Sequence, residues 1–136
     1  MKVAVWDTYV KKPNGNVLHF DIIAPENITD ESRIFSYGKE YLTSIQENGQ
    51  IFSEECKHCH IESPSVEIIK AIEQKGFYIL EMEEIQKKLS ENPTKREVIL
   101  FLKAHFKEYR FANFKGISEE QVQEKLKLIM NESYPF

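Results

Sequence analysis

Two segments near the N-terminus alternate in character along the chain. KVAVWDTYV (residues 2–10) and VLHFDIIA (residues 17–24) are rich in β-branched and aromatic types and read as strands. Between them, Lys12-Pro13-Asn14-Gly15-Asn16 carries strong turn chemistry, so the two segments are predicted to form a hairpin. Pro25 ends the second strand. From about Thr29 to Gln46 the period changes, and Ile34, Tyr41, Leu42 and Ile45 recur at helical spacing. Asp30 and Glu31 suit the start of that helix, and Asn48-Gly49 suits its end. Gly38 lies on the apolar face and points to a close approach to the sheet.

Residues 50–62 are weakly patterned and partly extended. Ser63-Pro64 then reads as an N-cap followed by proline at the first helical position. Ile68, Ile69 and Ile72 form the stripe of a short helix that Gly76 closes, and residues 77–82 (FYILEM) read as a strand. The order is ββαβαβ, which predicts an α+β domain, a sheet layered with helices, over residues 1–83.

Beyond residue 84 the period is helical. Thr94-x-x-Glu97 and Ser118-x-x-Gln121 both fit capping boxes. The first opens a helix of about 95–110 with Ile99, Leu102, Phe106 and Tyr109 on one side. The second opens a helix of about 119–131 striped by Val122, Leu126, Ile129 and Met130. Residues 84–136 are thus predicted as a helical extension, with the linker near Pro93. Its stripes need a surface to cover them: the sheet domain, or a second chain in a homodimer.

The hairpin loop decides which residues share a face. Pro suits the second position of a type I turn and Gly a following positive φ, so Pro13-Asn14-Gly15 fits a bulged loop with Lys12 facing Asn16. A two-residue Asn-Gly turn is the alternative, and it shifts the register by one. The bulged register pairs Val10–Leu18, Thr8–Phe20, Trp6–Ile22 and Ala4–Ala24 on one coherent apolar face. The other face then pairs Tyr9–His19, Asp7–Asp21 and Val5–Ile23. The shifted register sets Asp7 beside Phe20 and Ile22, so separation of apolar from polar favours the bulge. Like charges directly opposite are unfavourable, so Asp7 and Asp21 need solvent, a cation, a basic group or a shared proton. With Tyr9 and His19 beside them, they are the candidate catalytic residues of an acid/base or metal site.

Composition and charge narrow the field. The 136 residues carry a net charge of −4, and residues 1–83 hold 14 Asp/Glu against 8 Lys/Arg. This argues against nucleic acid as a partner. The aromatic and basic stretch from Phe101 to Lys115 reads as a core stripe with solvated lysines. No run of about 18 apolar residues is present, so no membrane span is predicted. The N-terminal residues enter a strand pattern instead of a secretory leader, which predicts a cytoplasmic protein.

Cys56-Lys57-His58-Cys59-His60 is the densest set of metal-capable side chains and makes Cys56, His58, Cys59 and His60 candidate ligands, zinc being the cofactor they suit. A turn between the cysteines lets both chelate, with His58 or His60 as a third ligand and His19 as a distant fourth. If the segment is extended, Cys56, His58 and His60 share one face and Cys59 points the other way, so four-ligand closure fails. Cys-x-x-Cys-His is also the haem c attachment pattern, which requires an oxidising compartment. A redox dithiol requires the motif at the head of a helix, and the nearest helix starts later. Cys59 as a small buried thiol is the plainest alternative.

The segments MKVAVWDTYV, HFDIIAPENI, CKHCHIE and IEQKGFYILEM, in this order and spacing, resemble a small bacterial family of unassigned function, DUF2024. The resemblance covers about residues 1–83. It implies a compact α/β fold and a cytosolic protein. It implies no activity, and so transfers no catalytic residue. The resulting expectation is a small binding or interaction module; the rival is a small zinc-type enzyme or metal-binding protein using the Cys56–His60 cluster and the Asp7/His19/Asp21 face.

Overall fold

The computed structural model describes residues 1–133, with side chains through Ile129. The chain divides into two compact units, Met1–Glu84 and Ile85–Phe136. The first has an α+β fold. Strand β1 (Val3–Lys11) turns into β2 (Val17–Pro25), followed by helix α1 (Glu31–Ser44), β3 (Cys56–Glu62), α2 (Val66–Lys75) and β4 (Tyr78–Ile85). The sheet order is β3-β1-β2-β4. Strand β1 is antiparallel to both β2 and β3. The Glu83–Glu84 end of β4 lies beside the Asn16–His19 start of β2, so this pair too runs antiparallel.

The hairpin forms in the bulged register. Lys12 N–H donates to the Asn16 carbonyl at 2.8 Å and Gly15 N–H to the Lys12 carbonyl at 2.9 Å. Gly15 has a φ of 92°, which an L side chain rarely adopts. Pairing then runs Val10–Leu18, Thr8–Phe20, Trp6–Ile22 and Ala4–Ala24, with Asp7 opposite Asp21 and Tyr9 opposite His19.

Each face of the sheet carries one helix. Ala4, Trp6, Val10, Phe20, Ile22 and Ala24 form one core with Ile34, Tyr37 and Leu42 of α1. Gly38 sits in that contact, where an added Cβ would lie 2.9 Å from Ile22 Cδ1 and closer still to Ile51. On the other face, Ile68 and Ile72 of α2, with Tyr78, cover Val3, Val5 and Ile23.

Several boundaries differ from the pattern. α1 ends at Ser44, and Gln46 takes the left-handed conformation in place of Asn48-Gly49. Glu47 N–H closes back on the Leu42 carbonyl at 2.8 Å, which satisfies the helix end early and leaves Ile45 exposed. α2 is capped by Ser65, two residues after Ser63, and Ser65 Oγ accepts from Ile68 N–H. Strand β4 runs on to Ile85, past the predicted Met82.

In the second unit, α3 spans Lys95–His105 and α4 spans Glu119–Ser133. α3 stops short of residue 110 because Phe106 is extended (φ −130°, ψ 116°) and a 3₁₀ turn follows at Lys107–Tyr109. Arg110, 7% exposed, folds back and donates to the Lys103 and Ala104 carbonyls at 3.2 and 2.6 Å, satisfying that helix end. The Ser118/Gln121 capping box is complete in both directions. At α3, Thr94 accepts from Glu97 N–H, but the Glu97 carboxylate turns to Ser90. Val98, Phe101, Leu102 and Phe106 pack against Val122 and Ile129, so the stripes of the two helices bury each other. Met130 lies outside the described side chains. Among the described residues, no helix is long and apolar enough to cross a membrane.

Because Gly15 holds a positive φ, Gly15→Ala is expected to lower the unfolding free energy by about 1–2 kcal/mol. Urea titration followed by Trp6 fluorescence checks this, and an unchanged midpoint would show that the loop does not depend on glycine.

Candidate functional site

Strand alternation sends Asp7, Tyr9, His19 and Asp21 to the face opposite Trp6 and Phe20. α2 covers the Val3/Val5/Ile23 end of that face, one step along the strands. His19 Nε2 lies 2.5 Å from Asp7 Oδ1. The His19 ring stacks on Tyr9, with centroids 4.3 Å apart and planes within 3°. Tyr9 is itself buried, so the stack fixes the plane of the imidazole. The His19 and Asp7 side chains are 10% and 20% exposed.

Asp21 has its pKa pushed up to about 7. Burial is the largest cause, followed by the charge of Asp7 and a hydrogen bond to it; His19 and His60 pull the other way. Asp21, pressed against Asp7 by the register, thus keeps its proton up to near neutral pH.

One atom each from Asp7, His19 and Asp21 all lie within 4.8 Å of one another, and no other such group of His, Cys, Asp or Glu occurs among the described residues. A transition metal bound at about 2.0–2.2 Å keeps its ligand atoms about 3–4.4 Å apart, so these three need only small adjustments to share an ion. One imidazole and two carboxylates are the donors of a borderline-to-hard divalent cation such as Zn²⁺ or Mn²⁺.

The Cys56–His60 segment arranges itself differently. β3 is extended, but Val5 pairs with His60 and Trp6 with His58, which leaves Cys59 as a bulge. The extra residue resets the alternation. Cys56 and His58 turn to the α1 face, and Lys57 and His60 to the opposite one, so Cys56, His58 and His60 do not share a face as plain extension predicts. Cys56 is 2% exposed, and burial pushes its thiol up to about 11, which keeps it protonated. Its sulfur lies 3.2 Å from Thr8 Oγ1. His58 sits edge-on to Trp6, with centroids 5.5 Å apart. Cys59 is exposed, contrary to its reading as a buried thiol, and its sulfur is 3.3 Å from His60 Nδ1; His60 Nε2 is 3.1 Å from a Glu62 oxygen. These four side chains do not gather into one ligand set. His60 alone is turned toward the Asp7/Asp21 face.

One neighbour of the site was not legible in the pattern. Glu83 Oε1 lies 4.0 Å from His19 Nδ1. The pairing of β2 with β4 that brings it there joins segments about 60 residues apart, and no local motif records it.

A family model described as Domain of unknown function (DUF2024) matches residues 1–82. Among solved structures, the chain is similar to the NMR structure of protein NE1680 from Nitrosomonas europaea. The TM-score is 0.55 at 40% identity, over 61% of this chain and 96% of that one. No curated protein matches.

The raised pKa of Asp21 gives a signed pH dependence. The folded state holds a proton that the unfolded chain releases near its ordinary value of about 3.9. That stability is fully present below about pH 4 and is lost as pH rises through about 7. Metal-free protein is therefore expected to melt at a lower temperature at pH 8 than at pH 5, and Asp21→Asn to flatten that slope. Calorimetry across this range checks it; equal slopes in the two proteins would remove Asp21 as the cause.

Proposed function

The chain belongs to the DUF2024 family, a domain of unknown function, through residues 1–82, and on that premise we propose that this unit is a binding module for a divalent transition-metal ion held by Asp7, His19 and Asp21. The observation that carries this reading is the convergence of three ligand atoms within 4.8 Å on a partly buried sheet face. A pair of carboxylates pressed together on strands is unfavourable by itself. A cation relieves that repulsion directly, where the metal-free protein relies on a proton. Three protein ligands leave further coordination positions for water or a substrate, as catalytic metal sites do. Two thiols, Cys56 and Cys59, accord with a reducing, cytoplasmic setting.

The rival ligand set on β3 is separated by the same experiment. Protein purified without an affinity tag and stripped with chelator is titrated with ZnCl₂ and with MnCl₂ by calorimetry. Wild type is expected to bind one ion per chain. His19→Ala and Asp21→Asn are expected to lose the saturable heat, and Cys59→Ser to retain it. Absence of saturable binding in folded wild-type protein overturns the proposal. Loss of binding in Cys59→Ser moves the site to β3.

A further inference from the structure

His19 presents two ring nitrogens to different surroundings. Nε2 faces Asp7 at 2.5 Å. Nδ1 is buried and has no hydrogen-bond partner, and the Glu83 carboxylate, 31% exposed, stands 4.0 Å from it. A buried ring nitrogen without a partner is costly, and the group placed to remove that cost is Glu83. We infer that Glu83 is the positioning residue of this site: it accepts a hydrogen bond from His19 Nδ1–H, so that Nε2 is the nitrogen that binds the cation when the cation displaces its contact with Asp7.

The fold places Glu83 for this task. The neighbouring Glu84 is tied to the hairpin, accepting from Asn16 Nδ2 at 2.7 Å and from Lys12 Nζ at 3.1 Å. Lys12 is also paired with Glu47 at 3.3 Å. These contacts clamp the end of β4 beside the start of β2, so the Glu83 side chain has to move only about 1 Å to reach hydrogen-bond distance. The Tyr9 stack on the ring face already fixes the imidazole plane. Two restraints on one ring, a stacked neighbour and a carboxylate near Nδ1, are what a metal-ligating histidine requires for a defined tautomer.

The inference rests on the metal-binding reading, and the test separates the two. ¹⁵N–¹H correlation spectra of the His19 ring are recorded on metal-free wild type, Glu83→Ala and Glu83→Gln, and zinc affinity is measured on the same proteins by competition with a chelator. Wild type is expected to show a population protonated on Nδ1 that Glu83→Ala loses in favour of Nε2–H bound to Asp7. Glu83→Gln, whose amide oxygen can still accept, is expected to keep it. Zinc affinity is expected to fall about 10–100-fold in Glu83→Ala and to recover in part in Glu83→Gln. Identical His19 nitrogen shifts in wild type and Glu83→Ala overturn the inference whatever the metal result. A tautomer shift without zinc binding in wild type upholds Glu83 as the positioning residue and overturns the metal reading alone.

Discussion

The register of the β1–β2 hairpin is the constraint on which the rest of the first unit depends. Pro13 and Gly15 select a bulged loop, and the loop selects the pairing. A slip of one residue would carry Asp7 into the core of Phe20 and Ile22, where an ionised carboxylate is expensive. In the observed register Ala4, Trp6, Val10, Phe20, Ile22 and Ala24 are buried together beneath α1, and Asp7, Tyr9, His19 and Asp21 are collected on the other side. The same pairing that completes a core therefore creates a cluster of like charges. The two outcomes cannot be separated, because strand alternation has a period of two.

That cluster is stabilised by what surrounds it. His19 lies against Asp7, Tyr9 stacks on His19, and Asp21 carries a proton near neutral pH. α2 covers only the Val3/Val5/Ile23 end of the face. The site is thus half-buried, which is enough to raise the Asp21 pKa. A cation and a proton are alternative ways of neutralising the same pair of carboxylates.

The Cys/His segment shows how one residue can dissolve an apparent motif. In CKHCH the metal-capable side chains are adjacent in sequence, but the bulge at Cys59 turns Cys56 and His58 to one face and His60 to the other. Cys56 becomes part of the α1 core, sealed against ionisation by its burial. Adjacency in sequence brings ligands together only when the backbone turns, and an edge strand paired to β1 does not turn. In the helical unit, Arg110 behaves likewise: its place in an aromatic and basic stretch does not reveal that it is buried against the carbonyls that end α3.

What the sequence determined by itself is whatever local chemistry enforces. Turn residues and alternation specified the hairpin, its register and the shared face of Asp7, Tyr9, His19 and Asp21. Helical periodicity and the Ser118/Gln121 box specified α4, and the ββαβαβ order specified the α+β class. The tertiary structure alone decided the rest. The Cys59 bulge arises from pairing β3 to β1, and the approach of Glu83 to His19 from pairing β4 to β2. The physical reason is common to both. Each is a contact between segments whose own patterns are equally satisfied without it, so it is chosen only when the sheet closes and the buried groups of distant strands must find partners together.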